Sequence, residues 1–381
     1  MYSRITSIHS PYPLMQQRFS YMYQNPDQTF TSILENVPQW SSSPFSNLEP
    51  AFSTIGEYAP LQGDGLLIDA ICQRENQKYG TQLKPQHVLV TMGALYGISL
   101  ILRKFQQPNA IALCQAPLLY NIVDMLPNAG YQTEYFTSHN GQIDIEQLRS
   151  RCTDNVRVIY INTPQNPTGE VCSAETIQQL ANLADERGIA LIIDIVYDNY
   201  VFSDDLSVSL PKILGTSPYV FAANSMSKSF GAPGLRVGWI LSMPDNIELL
   251  GARLDQECLA VCSPTQHYAR QLLETTNVTP LQQAVQEGNQ LIRQELKDWS
   301  DIQLPDVKAG ALFFFELPIS DIEAFADFML VEYGVFFATS DHYGGIGGSY
   351  IRIPMGQPAS VLKPALALLK EGLQVYRARY E

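Results

Sequence analysis

The sequence predicts an α/β fold, with a large domain on a mostly parallel central sheet and a smaller α+β domain after it. Two observations carry this. From Tyr58 onward, short and continuously apolar runs alternate with amphipathic stretches of helical period. Such runs read as strands buried on both faces, as in a parallel sheet covered by helices. Past Asp306 the alternation gives way to an aromatic strand followed by mixed helices and strands.

The elements follow in order. Residues 1–53 are rich in Ser, Pro, Gln and aromatics with little period, and read as an arm that joins part of the small domain. Residues 54–290 form the large domain and 291–381 the C-terminal small domain. Leu66, Leu67, Ala70 and Ile71 lie at helical spacing within 65–80, and Gly80 closes that helix. Residues 87–91 read as a strand, 94–105 as a helix and 109–114 as a strand. A helix over 118–129 and a strand over 131–136 come next. A strand over 156–161, a helix over 173–187 and a strand over 188–194 form one crossover unit, and further strands fall at 219–223 and 235–241. After Pro244 the chain is helical, including a long helix over about 280–299. Strands at 311–317, 334–338 and 350–353, a helix over 321–332 and another from Ser360 complete the small domain.

Composition bounds the function. With 381 residues, 45% hydrophobic and 16% charged, the chain has interior enough to bury a small molecule. A net charge of −14 argues against nucleic acid or an anionic membrane as partner. The six cysteines are scattered without a C-x-x-C pair, so neither a metal site nor a disulfide framework is expected. The first residues, Met1 to Thr6, lack the apolar core of a signal peptide, and no apolar run reaches the roughly 18–20 residues that span a bilayer. A cytoplasmic location is expected.

Five motifs sit at or just beyond strand ends, where ligands of such sheets bind. Thr91-Met92-Gly93-Ala94-Leu95 is a strand, a glycine turn and a helix start, which suits a phosphate. Asn162-Thr163-Pro164-Gln165-Asn166-Pro167-Thr168-Gly169 holds two prolines that fix an irregular backbone and aim Asn166 into the crevice. Asp194 ends a strongly apolar strand, where an unpaired carboxylate costs several kcal/mol and calls for a cation; Tyr197 follows it. In Ser225-Met226-Ser227-Lys228-Ser229-Phe230-Gly231-Ala232-Pro233-Gly234-Leu235-Arg236, a lysine stands among small hydroxyls with an arginine eight positions on. Such a lysine suits attack on an aldehyde beside a bound phosphate. Last, Arg352 lies in the strand that follows a Gly-rich loop. Taken singly, these have plainer readings: a βα turn, an N-cap, a surface strand arginine.

Taken together and in order, the motifs resemble those of fold-type I pyridoxal-phosphate (PLP) enzymes, specifically the class I/II aminotransferase family, over residues 58 to 353. The resemblance implies the PLP-dependent transferase fold and pyridoxal 5′-phosphate as cofactor. It implies that Lys228 forms the Schiff base and acts as general base and acid. Gly93, Ala94, Leu95, Ser225 and Arg236 would bind the phosphate, and Asp194 the pyridine nitrogen. Asn166 and Tyr197 would bind the phenolate oxygen, with Asn166 also at the substrate, and Arg352 would grip the substrate α-carboxylate. Tyr58 matches a tyrosine that reaches the phosphate of a neighbouring subunit, implying a homodimer with shared sites.

Two departures bear on substrate. The aromatic expected to stack on the cofactor ring is replaced by Leu119, with Tyr120 one residue later; Tyr120 is the preferred covering group. The family's usual entry segment is missing, and Trp40-Ser41-Ser42-Ser43-Pro44-Phe45-Ser46 stands in its place. That replacement resembles cyclases of hydroxylated arginine, of the capreomycidine and enduracididine type. The expected activity is transamination of a free L-α-amino acid. The alternatives are dehydration and cyclisation of a hydroxylated arginine and, more remotely, a PLP-binding regulator. Asp27, Glu35 and Glu49 are the acids that could receive a cationic substrate end.

Overall fold

The computed structural model describes residues 12–51, 55–299 and 301–381; the segment from Met1 to Thr6 read above for a signal peptide lies outside the described residues. The chain opens with α1 (Tyr12–Gln24) and β1 (Thr31–Ile33). It continues with α2 (Gly65–Tyr79), β2 (Val88–Thr91), α3 (Ala94–Phe105), β3 (Ala110–Ala116), β4 (Leu118–Leu119), α4 (Tyr120–Asn128) and β5 (Tyr131–Thr137). Then come α5 (Ile145–Arg151), β6 (Val156–Asn162), α6 (Ala174–Arg187), β7 (Ala190–Asp194), β8 (Val220–Ser225), α7 (Met226–Ser229) and β9 (Gly238–Leu241). Three helices follow, α8 (Pro244–Cys258), α9 (Ser263–Thr275) and α10 (Thr279–Leu296). The chain ends with β10 (Leu312–Glu316), α11 (Ile322–Tyr333), β11 (Val335–Thr339), β12 (Tyr343–Gly344), β13 (Tyr350–Pro354) and α12 (Ala359–Tyr380).

Seven strands form the central sheet in the order β2-β9-β8-β7-β6-β3-β5. Only β9 runs antiparallel to its neighbours. All five residues of β7 are buried, as a strand covered on both faces requires. The crossover into β7 is set locally. Ser173 caps α6 by accepting from the Thr176 amide at 3.1 Å, and Gly188 ends the helix in the left-handed conformation. The ends of β6, β7 and β8 therefore fall side by side at one edge, with Asn162 paired to Asp194 and Asp194 to Ala223.

The second sheet has the order β1-β11-β13-β10, so the N-terminal segment adds a strand to the C-terminal unit. Arg18 of α1, nearly fully buried, fastens that segment by bonding Asp327 at 2.8 Å and Glu323 at 2.7 Å on α11. Residues 1–53 were expected to be irregular; α1 and β1 are instead regular and owe their order to these distant contacts. The helix expected over 118–129 begins only at Tyr120. Leu118 and Leu119 are drawn into a ladder with Gly344 and Tyr343, which ties the two sheets' units together beside the strand ends. The strand expected from 235 begins at Gly238, because Pro233–Leu235 forms a 3₁₀ turn and Arg236 takes φ +53°. No helix among the described residues is long and apolar enough to cross a membrane.

Two cores result. One fills the faces of the seven-stranded sheet, and the other gathers Leu281, Val285 and Ile292 of α10 with Phe313, Phe315, Phe325 and Phe337. At Gly288 the helix α10 presses on the chain after β13: a Cβ there would overlap the Met355 carbonyl oxygen. Ala is worth about 1 kcal/mol more than Gly in a helix interior. We expect Gly288→Ala to be destabilising all the same, by about 2–3 kcal/mol in urea unfolding, because the overlap cannot relax without backbone movement. A neutral or stabilising result would contradict this packing.

Candidate active site

A cavity of about 280 Å³ opens where β6, β7 and β8 end. One end of it is built from backbone and short side chains. Gly93, at φ +80°, turns the chain from β2 into α3; a Cβ there would stand 2.7 Å from an Arg236 guanidinium nitrogen. The glycine thus admits a cation to the end of a helix whose first-turn amides have no intrahelical acceptor. Ala94, Leu95, Ser225, Ser227 and Arg236 all line the cavity at this end. Ser225 caps α7 and faces the same space. Hydroxyls, free amides and a guanidinium converging without a carboxylate among them form a donor set for a dianion.

At the ends of β6 and β7 stands Asp194, 7% exposed. It accepts from the Tyr160 hydroxyl at 2.9 Å and from the Val196 amide at 3.1 Å. Burial nevertheless pushes its carboxyl up to about 6. No ion pair reaches it among the described residues. A buried carboxylate in this state lacks a cation, and a protonated pyridine nitrogen is one. Asn162 donates to the Asp194 carbonyl at 2.9 Å and accepts from the Asn166 amide at 2.6 Å, so the loop after β6 hangs from the end of β7. The Asn166 side-chain oxygen accepts from Tyr343 at 2.7 Å, which leaves its amide hydrogens for a ligand.

Lys228 lies in the short helix α7, held by the turn after β7. Tyr200 donates to the Lys228 carbonyl at 2.8 Å, Asn199 to the Ser229 carbonyl at 2.9 Å, and Ser229 to Asp198 at 2.6 Å. The lysine ammonium donates to Asn36, whose amide donates to the Tyr197 phenol at 3.0 Å. Burial, reinforced by the nearby Arg352 guanidinium, brings the Lys228 amine down to about 7, against the opposing pull of Glu35. Burial raises the Tyr197 phenol, so it remains a hydrogen-bond donor.

Arg352 is buried in β13. One terminal nitrogen donates to Tyr343 at 3.1 Å and the other to the Leu34 carbonyl, while Nε finds no partner among the described residues. Leu119 and Tyr120 both reach the cavity; Tyr120 starts α4 and meets His342 edge-on at 5.9 Å between centroids. Tyr58 is 82% exposed and lies outside the cavity of its own chain. Of the three acids considered for a cationic substrate, Glu35 lines the cavity and Asp27 and Glu49 do not. The structure thus gathers Lys228, Asp194, Tyr197, Ala94, Leu95, Tyr120, Asn166, Ser225, Arg236 and Arg352, with Gly93 against Arg236. Sequence reasoning passed over Asn36, Tyr160, His342 and Tyr343, whose places come from pairings distant in sequence. The donors at one end and the cation-seeking carboxylate between β6 and β8 together fit pyridoxal phosphate.

The raised Asp194 carboxyl has a consequence for the cofactor-free chain. Its folded value of about 6 exceeds the unfolded one of about 3.9, so the folded state holds the extra proton between them. Stability falls as pH rises through that window, and the penalty is full above it. We expect Asp194→Asn apoprotein to be more stable than the parent at pH 8 by about 2–3 kcal/mol in urea unfolding, with the difference closing toward pH 4. A variant less stable at pH 8 would contradict this.

Residues 20–369 match the family model for aminotransferase class I and II. The L-aspartate:5-guanidino-3-methyl-2-oxopentanoate transaminase of Pseudomonas syringae pv. syringae is 36% identical over 366 residues, covering 95% of this chain and 94% of that protein. The 3-methylarginine biosynthesis aminotransferase ArgM of Streptomyces arginensis is 30% identical, covering 92% of this chain and 94% of its own. Among solved structures, the aspartate aminotransferase of Thermotoga maritima superposes with a TM-score of 0.84 at 19% identity, over 96% of both chains. The N-succinyldiaminopimelate aminotransferase of Mycobacterium tuberculosis gives 0.83 at 20% identity, over 94% of this chain and 97% of that one. These names lend no weight to the cyclase alternative. The chain therefore belongs to the class I and II aminotransferase family, has the fold-type I architecture, and is a pyridoxal-phosphate-dependent aminotransferase.

Proposed function

We propose that this aminotransferase exchanges the amino group of a guanidinium-bearing amino acid with a 2-oxo acid, with Glu35 receiving the guanidinium. The observation that carries this reading is the cavity wall: apart from Asp194, Glu35 is its one acidic side chain among the described residues. The similar Pseudomonas enzyme acts on a guanidino oxo acid, which supports the same substrate class here.

The residue roles are part of the proposal. Bound pyridoxal phosphate supplies the aldehyde that captures the amino group and a ring that takes up the electron pair released at the α-carbon. Gly93, Ala94, Leu95, Ser225 and Arg236 hold the phosphate. Asp194 pairs with the ring nitrogen, Tyr197 and Asn166 donate to the phenolate oxygen, and Tyr120 covers the ring. Arg352 binds the substrate α-carboxylate. Lys228 would take up and hold the α-proton; an amine brought down to about 7 is free base in good part at neutral pH.

Tyr58, exposed and away from its own cavity, supports a homodimer in which each tyrosine reaches the other copy's phosphate. The two main cores support a large cofactor domain and a small C-terminal one joined by part of 1–53; the division expected at 290 falls instead near the start of α10, whose buried Leu281, Val285 and Ile292 all join the second core. Free thiols at all six cysteines support a cytoplasmic setting.

Steady-state kinetics with L-arginine, 3-methylarginine and L-norleucine test the substrate class. We expect kcat/KM for the guanidino substrates to exceed that for norleucine by at least about tenfold, and Glu35→Gln to raise their KM by about tenfold with little change in kcat. Equal turnover of norleucine would overturn the substrate assignment.

A further inference from the structure

His342 closes the 3₁₀ turn Ser340–His342 that follows β11. Its Nδ1 lies 3.3 Å from the Thr339 amide, which can only donate. Nδ1 must therefore present its lone pair, and the neutral ring carries its proton on Nε2. The Thr339 hydroxyl is engaged elsewhere, donating to Glu323 and accepting from the His342 backbone amide in the reciprocal cap, so the Thr339 amide is the group that fixes Nδ1 as the acceptor. Burial, with Arg352 and Arg18 nearby, keeps the imidazole neutral, at about 3. The residue is only 2% exposed and lines the cavity, yet Nε2 has no partner among the described residues.

Arg352 shows the same condition. It is 4% exposed, lines the same cavity, and its Nε is unpartnered while both terminal nitrogens already serve protein acceptors. The two groups are linked through the sheet: Thr339, which fixes the imidazole, pairs with Ile351, and Ala338 pairs with Arg352 itself. Tyr120, edge-on to the ring, restrains it from the other unit. A buried donor left without an acceptor is costly, and two of them on residues that line one cavity point to a ligand with two acceptor atoms. A carboxylate has that form; a guanidinium accepts nothing.

We propose that His342, through Nε2–H, is a second donor to the substrate α-carboxylate beside Arg352; this rests on the reading of Arg352 as the carboxylate-binding residue. The division of labour is physical. Arg352 supplies charge but has part of its fork committed to Tyr343 and Leu34, and the neutral imidazole completes the coordination.

The test is calorimetric binding to the holoenzyme of unreactive probes: 5-guanidinopentanoate and succinate, which carry a carboxylate, and butylguanidine, which carries none. We expect His342→Phe to weaken both carboxylates by roughly 10- to 100-fold, the effect of losing a hydrogen bond to a charged group. Butylguanidine should bind as before, which shows the cavity intact. His342→Gln, which returns an N–H at similar reach, should recover most of the affinity. Unchanged carboxylate binding in His342→Phe, a loss confined to succinate, or an equal loss of butylguanidine would each overturn the proposal. Arg352→Gln separates the two levels. If it weakens both carboxylates while His342→Phe does not, the role of His342 falls and that of Arg352 stands; if it weakens neither, the underlying reading fails.

Discussion

A carboxylate and an amine buried in one cavity, each displaced from its ordinary pKa and neither ion-paired with the other, set the terms for everything around them. Asp194 is pushed up to about 6 and Lys228 down to about 7, both chiefly by burial. Burying either group ionised and unpaired costs several kcal/mol. In the proposed site each would be relieved by a different part of one bound molecule, a ring cation for the first and an aldehyde carbon for the second. The demands of these two groups are thus complementary to the cofactor's chemistry.

One stretch of chain makes this arrangement possible. β7 ends at Asp194, and the turn that follows carries Tyr197 into the cavity and then Asp198, Asn199 and Tyr200 beneath α7. Asp198 is itself fixed by Arg74 at 2.6 Å, and Arg74 also holds Glu75, which accepts from Trp239 of β9. The short helix bearing Lys228 therefore rests on a buried polar network anchored to α2 and β9, not on its own four residues. One Glu75 carboxylate oxygen lacks a partner among the described residues, but the bonds from Arg74 to Asp198 and from Ser229 to Asp198 give α7 a rigid support. That rigidity suits a lysine that must stand at a fixed place relative to Asp194.

Much of the large domain could be read from the chain because its signals are local. Continuous apolar runs gave β3, β6 and β7, Ser173 and Gly188 marked the ends of α6, and Ala94 to Phe105 was bounded correctly at both ends. Asp194, Asn166 and Lys228 were legible because each breaks a local rule at a strand end. What escaped notice depends on distant partners. β1 exists only through its pairing with β11, and α1 is held by Glu323 and Asp327, some three hundred residues away in sequence. Leu118 and Leu119 lie in a ladder with β12 that no local pattern announces. The same holds in the cavity: Asn36, His342 and Tyr343 acquire their roles from the way the N-terminal segment and the small domain close over the large sheet.

The bond proposed between position 228 and the cofactor is open to a single direct measurement: borohydride reduction of the holoenzyme followed by peptide mapping. We expect one pyridoxyl-modified side chain, at Lys228. Modification of another lysine, or of none, would contradict the site described here.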